Sequence, residues 1–201
     1  MKPKKTKITP PNWFALRATY GREKMAYDYL VSKGITAFCP MQKVAKMVGG
    51  KRRFFYQSRL PNIFFAYGTK EELMTFVYDN INLPFLRFYY CHHHGEHFSV
   101  REPLIVPQSQ IDTFRIVCEA EDEDTFVSAD EIRLFEKGEE VRVTQGKFAG
   151  VRGRVARFKG QQRVGIYIEG VATVATAYIP SAYLEKIGPS QPSLKTFHKT
   201  L

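Results

Sequence analysis

The chain has 201 residues, a formal net charge of +10, 44% hydrophobic residues and 25% charged ones. At ~150 residues per domain this predicts one large domain or two small ones, and the balance excludes wholesale disorder. No run reaches the ~18 consecutive apolar residues of a membrane-spanning helix.

The charge is unevenly spread. Residues 1–118 carry 18 Lys/Arg against 8 Asp/Glu, residues 119–140 carry 2 against 10, and residues 141–201 carry 10 against 2. Two basic bodies therefore flank an acidic segment. A basic excess of this size suits a polyanionic partner, because bound Lys and Arg release counterions from phosphate. A surface merely kept soluble by its charge is the alternative.

Residues 1–11 are polar, end in Thr9-Pro10-Pro11 and are expected to be a flexible arm. The basic start has no apolar stretch behind it, so no secretory signal is expected. Residues 13–20 are apolar and aromatic, which predicts a central strand. From Arg22 the period becomes helical through Met25, Ala26, Tyr29 and Leu30, with Gly34 as the C-terminal cap. Residues 35–41 read as a second strand. Residues 44–56 read as a hairpin, with Gly49-Gly50 at the turn and Lys51-Arg52-Arg53 beside it. A third apolar strand follows Pro61-Asn62.

Thr69 and Glu72 have capping-box spacing, with Leu73, Phe76 and Val77 as the buried face of the next helix. Residues 86–90 read as a strand, and Pro107 starts a helix with Ile111, Phe114, Val117 and Cys118 along one side. This order predicts one α+β sandwich over residues 12–118. The segment 119–134 is too charged to bury and reads as an acidic linker. In residues 135–188 the pattern is β, with alternation at Val141 and Val143 and at Val164, Ile166 and Ile168. Residues 171–179 are rich in β-branched and small side chains, and residues 183–187 give a last short strand. Five short strands predict a small β-barrel. Residues 189–201 carry no pattern and are expected to be a disordered tail.

The sharpest local signal is Gly146-Lys147-Phe148-Ala149-Gly150-Val151-Arg152-Gly153-Arg154-Val155. Glycines at these spacings, between two strands, describe a tight corner that Phe148 would plug onto the barrel. A phosphate cradle would need a helix after the loop and a Gly-Lys-Ser/Thr ending, and neither occurs. The corner resembles the KOW motif of NusG-type transcription factors and some ribosomal proteins. Four features of the N-terminal half resemble the NGN domain of NusG. They are Trp13-Phe14-Ala15-Leu16, the helix opened by Gly21-Arg22-Glu23-Lys24, Phe38-Cys39-Pro40, and Leu60-Pro61-Asn62-Ile63-Phe64. The likeness spans residues 12–188. Within that family, residues 174–180 (Val-Ala-Thr-Ala-Tyr-Ile-Pro) and 183–187 (Tyr-Leu-Glu-Lys-Ile) are similar to the UpxY branch of Bacteroides-type capsular polysaccharide loci. Ile63 stands where the family often has an aromatic. Nothing in residues 141–187 forms an amphipathic helical stripe, so a constitutive SH3-like barrel is expected rather than RfaH-type fold switching.

The resemblance implies a factor that binds RNA polymerase through its NGN domain and suppresses pausing or termination. It assigns polymerase contact to Arg17, Tyr20, Leu60, Pro61, Asn62 and Ile63. Leu60 and Ile63 as ordinary core residues are the alternative, since strand alternation must bury one face. The tip Lys51, Arg52 and Arg53, together with Arg22 and Lys24, is expected to touch nucleic acid, either non-template DNA or nascent RNA. The KOW motif residues are Gly146, Lys147, Phe148, Gly150, Arg152, Gly153 and Arg154, and the barrel is expected to present Arg157, Lys159 and Arg163 as well. The resemblance offers ribosomal protein, termination factor or RNA as this domain's partner. A KOW-containing RNA-binding or ribosome-associated protein that never meets polymerase is the other reading.

Four of the five histidines lie in residues 92–97. Adjacent histidines on a strand point to opposite faces, and nothing downstream completes a ligand set, so neither metal nor other cofactor is expected. Cys39, Cys91 and Cys118 form neither a disulfide framework nor a CxxC pattern, which suits a reducing cytoplasm. No nucleophile has a recognisable partner base. A monomeric, cytoplasmic, non-enzymatic protein is expected.

Overall fold

A computed structural model of the chain describes residues 9–94, 99–120, 126–128, 138–158, 160–168 and 171–187. The expected arm at residues 1–8 and the tail at 188–201 lie outside them. β1 (Asn12–Ala18) leads through a tight turn into α1 (Glu23–Ser32) and the short β2 (Thr36–Phe38). β3 (Met41–Val48) and β4 (Lys51–Ser58) form a two-stranded ribbon of their own. β5 (Ile63–Gly68), α2 (Lys70–Val77) and β6 (Leu86–Phe88) follow. A second hairpin, β7 (Tyr90–His94) with β8 (Ser99–Pro103), precedes β9 (Ile105–Val106) and α3 (Gln108–Glu119).

The N-terminal sheet is antiparallel in the order β2-β5-β1-β6, with β9 also paired to β1. β1 lies between neighbours on both sides. Trp13 and Ala15 point to one face of the sheet, and Phe14, Leu16 and Ala18 to the other. All five are buried, because α1 and α2 cover the second face while α3 covers the first. Ala26, Leu30, Leu73 and Val77 supply the α1 and α2 side of that core. Thr69 caps α2 by accepting from the Glu72 N–H at 3.1 Å, as the spacing predicts. On the other side Phe114 of α3 meets Phe38 and Phe65 edge to face. Each such fully buried Leu or Phe stabilises the fold by ~1.5–3 kcal/mol.

The C-terminal sheet is also antiparallel throughout, in the order β10-β14-β13-β12-β11-β15. Its strands are β10 (Phe126–Ser128), β11 (Glu140–Val143), β12 (Arg152–Phe158), β13 (Gln161–Ile168), β14 (Ala172–Ala175) and β15 (Leu184–Lys186). Among the described residues its two end strands do not pair with each other. The fold is thus mixed α+β, an α/β sandwich followed by an all-antiparallel β domain.

Two expectations change. The stretch read as linker contains β10, whose Phe126-Val127-Ser128 pairs with residues 173–175 of β14. Charge on its neighbours hid a short strand with a β-branched centre. The strand read at residues 86–90 ends at Phe88, after which β7 and β8 pair only with each other. Residues 121–125 and 129–137 lie outside the described part.

One apolar cluster runs from Trp13, Phe65, Phe114 and Val117 into Val143, Phe148, Val164 and Ile166. Helix α3 joins the two halves. Ile111, Phe114 and Val117 lie on one side of it, while Thr113 and Ile116 occupy another. A Cβ added to Gly150 would lie 3.3 Å from Ile116 Cδ1, which places the C-terminal corner directly against this helix.

Candidate functional site

The segment Leu60-Pro61-Asn62-Ile63 closes a tight turn in which the Ile63 N–H donates to the Leu60 carbonyl at 3.0 Å. Pro at the second position and Asn62 at φ 66° at the third are the signature of a type II turn. Asn62 also clamps the loop after β1. Its backbone carbonyl accepts from the Ala18 N–H and its Oδ1 from the Gly21 N–H, both at 2.8 Å. The second bond holds a loop in which Tyr20 and Gly21 both have positive φ. A left-handed tyrosine costs ~1–2 kcal/mol, and Tyr20 is nonetheless 86% exposed.

Strand register extends the site. Arg17 pairs with Ile63 on one side and with Arg87 on the other. Paired residues share a face, so Ile63, Arg17 and Arg87 form a row across three strands. Arg17 and Arg87 are exposed and Ile63 is half-buried. Arg22 lies by the Tyr20 loop, its guanidinium 5.8 Å from the Tyr20 ring and 5.1 Å from the Phe85 ring. Arg87 and Phe85 were missed by the sequence reading. The alternation Leu86-Arg87-Phe88, with a lone cation between two apolar residues, was the signal that could have found Arg87.

A family model described as the transcription termination factor nusG matches residues 11–115, and no curated protein matches the chain. The chain belongs to the NusG family. It is a non-enzymatic transcription factor, and membership implies RNA polymerase as a partner.

Among the NusG-type contact residues expected, Arg17, Tyr20, Pro61, Asn62 and Ile63 come together as described, whereas Leu60 does not. Its side chain is 3% exposed and lies in the cluster with Trp13, Phe65 and Phe114. The turn sends its isobutyl group into the core, so Leu60 holds the turn rather than presenting a surface. Ser58 fixes it, its hydroxyl donating to the Leu60 carbonyl at 2.8 Å. Arg59 beside it is buried and pulls down the Cys118 thiol, but burial dominates and pushes that thiol up to about 12. Burial, reinforced by Glu23, likewise raises Cys39 to about 12.

The basic residues expected to touch nucleic acid divide into separate places. Arg22 adjoins Tyr20 and Phe85. Lys24 forms an i,i+4 ion pair with Asp28 on the exposed side of α1, which leaves it a weaker phosphate ligand. Lys51, Arg52 and Arg53 stand on the ribbon next to Gly49-Gly50, whose φ values of 58° and 75° give the two-residue hairpin turn that only glycine adopts freely.

In the C-terminal domain Phe148 is buried beneath the corner as expected of a plug, with Lys147 Nζ 5.5 Å from its ring. Gly153 sits where a Cβ would lie 2.3 Å from the Gly165 carbonyl oxygen, so strand β12 can pass only without a side chain there. Gly146 and Gly150 both have positive φ. Arg152, Arg154 and Arg157 are exposed. Arg163 is not. It is buried, donating to the Thr176 carbonyl at 3.0 Å and to Gln161 Oε1 at 2.8 Å, and so braces β13 instead of facing a ligand. Lys159 lies outside the described residues. Of the histidine cluster, His92, His93 and His94 fall on β7, and His97 is outside the described residues. Among the described residues no group of His, Cys, Asp or Glu could hold a metal, and no helix is long and apolar enough to cross a membrane.

Proposed function

We infer that the row Ile63, Arg17 and Arg87, with Tyr20, Pro61 and Asn62 beside it, is the surface that seats this factor on RNA polymerase. A half-buried isoleucine beside two exposed arginines and an exposed aromatic suits a protein interface with a few strong anchors. The observation that carries the reading is the register that places Arg17 between Ile63 and Arg87 while Asn62 ties the Tyr20 loop to the same turn. Seated there, the factor suppresses pausing or termination. Arg22, Lys24 and the ribbon residues Lys51, Arg52 and Arg53 contact non-template DNA or nascent RNA. The β domain, read as a KOW domain through Gly146, Lys147, Phe148, Gly150, Arg152, Gly153 and Arg154, takes a ribosomal, termination-factor or RNA partner. The likeness of residues 174–180 and 183–187 to the UpxY branch supports action at polysaccharide biosynthesis operons.

The test uses the full chain and core RNA polymerase. Wild-type protein should be retained by polymerase and shorten the dwell of paused elongation complexes. Arg17→Glu and Arg87→Glu should each lose most of both effects while the urea midpoint stays unchanged. Retention of both variants at wild-type level would remove the reading.

A further inference from the structure

The ribbon of β3 and β4 is the least explained part of the molecule. Each strand has eight residues, a reach of ~26 Å. Residues 41–58 hold five cations and no acidic residue. Three aromatics project from it into solvent, with Phe54 57%, Phe55 42% and Tyr56 69% exposed. An isolated two-stranded ribbon is marginal by itself, and most apolar rings left in water find cover elsewhere.

Register separates its faces. Lys43 pairs with Tyr56, Ala45 with Phe54 and Met47 with Arg52 on one face; Val44 with Phe55, Lys46 with Arg53 and Val48 with Lys51 lie on the other. The first face carries a ring ladder, Phe54 and Tyr56, set two residues apart. Cations flank it: Lys43 Nζ is 4.6 Å and the Arg52 guanidinium 5.3 Å from the Phe54 centroid. The ladder spacing is ~6.7 Å, twice the 3.4 Å rise per base of a stacked strand.

We propose that this face binds unpaired nucleic acid, Phe54 and Tyr56 each stacking on a base of a stretched strand while Lys43 and Arg52 take the phosphates between. The proposal deepens, and rests on, the reading of the ribbon as a nucleic-acid contact. Rings two residues apart match bases pulled out of their stack, and ring faces stack on any base. In a duplex the base faces are stacked on one another, which leaves the rings of Phe54 and Tyr56 nothing to stack on.

The test is fluorescence anisotropy of the full chain with a labelled oligonucleotide of about 12 nucleotides, as single-stranded DNA, as RNA and as duplex. Single strands should bind tighter than duplex, and the DNA and RNA arms tell which source is preferred. Phe54→Ala and Tyr56→Ala should each weaken single-strand binding on the order of tenfold with the salt dependence kept. Phe55→Ala should change it less than about twofold. Arg52→Gln should flatten the salt dependence. An unchanged urea midpoint shows that each variant folds. Equal binding of duplex, or unchanged binding by both ring variants, would overturn the proposal. Polymerase retention is measured on the same proteins. Arg17→Glu should lose polymerase and keep the oligonucleotide, whereas Phe54→Ala should do the reverse. Each reading can therefore fail alone.

Discussion

Leu60→Ala separates a core role from a surface role at the polymerase turn. Leu60 is buried with Trp13, Phe65 and Phe114, so truncation removes three buried carbons and leaves a cavity among rings that cannot collapse freely. Leu→Ala changes at such sites cost ~2–5 kcal/mol, and ~3 kcal/mol suits a position at the edge of a sheet core. With a urea m-value of ~1.5 kcal/mol/M for a domain of this size, the midpoint should fall by ~2 M. The chain's single tryptophan, Trp13, lies in the same cluster, so its fluorescence reports this transition directly. At low urea, folded Leu60→Ala should still be retained by polymerase. An unmoved midpoint with polymerase retention lost would show that the side chain faces the partner and that the packing argument is wrong.

Asn62 combines a backbone and a side-chain duty, which two substitutions separate. Asn62→Gly keeps the positive φ and should cost only the Gly21 hydrogen bond, ~1 kcal/mol, while Asn62→Ala should cost ~1–2 kcal/mol more, both read from the Trp13 midpoint. Gly153→Ala forces a methyl to within 2.3 Å of the Gly165 carbonyl oxygen and should destabilise the β domain by ~2–3 kcal/mol. Loss of that domain's dispersed methyl NMR signals at a lower temperature than wild type would register it, and a methyl signal set as stable as wild type would contradict the close approach. In a Cys91→Ser background, Cys39 and Cys118 should alkylate far more slowly at pH 8 than in urea, because burial raises both thiols to about 12. Their folded pKa lies above the unfolded ~8.5, so the stability tied to the neutral thiols is complete below pH ~8.5 and declines as pH rises further. Rapid native labelling at pH 8 would count against it.

Much of the architecture was legible in local patterns. The helical period after Arg22, the capping box at Thr69 and the run Ile111, Phe114 and Val117 marked three helices that the structure contains. Glycine pairs marked the ribbon turn, because only a residue without a Cβ takes those angles cheaply. The Pro61-Asn62 pair marked the turn at the site, and its neighbours in sequence gave the family resemblance that the match over residues 11–115 bears out.

What the amino-acid order by itself determined was therefore which residues alternate, which turn and which cap. Which side of an alternation meets water was decided only by tertiary structure. Period two says that Arg17 and Leu16 point oppositely, but the docking of α1, α2 and α3 decides that both Phe14 and Trp13 are buried while Arg17 stays out. Packing elsewhere in the fold turns Leu60 inward, leaves Phe54 and Tyr56 uncovered, buries Arg163 against the Thr176 carbonyl, and pairs Phe126-Val127-Ser128 with β14. Burial is set by what lies across the gap from a side chain, and that neighbour is usually far away along the chain.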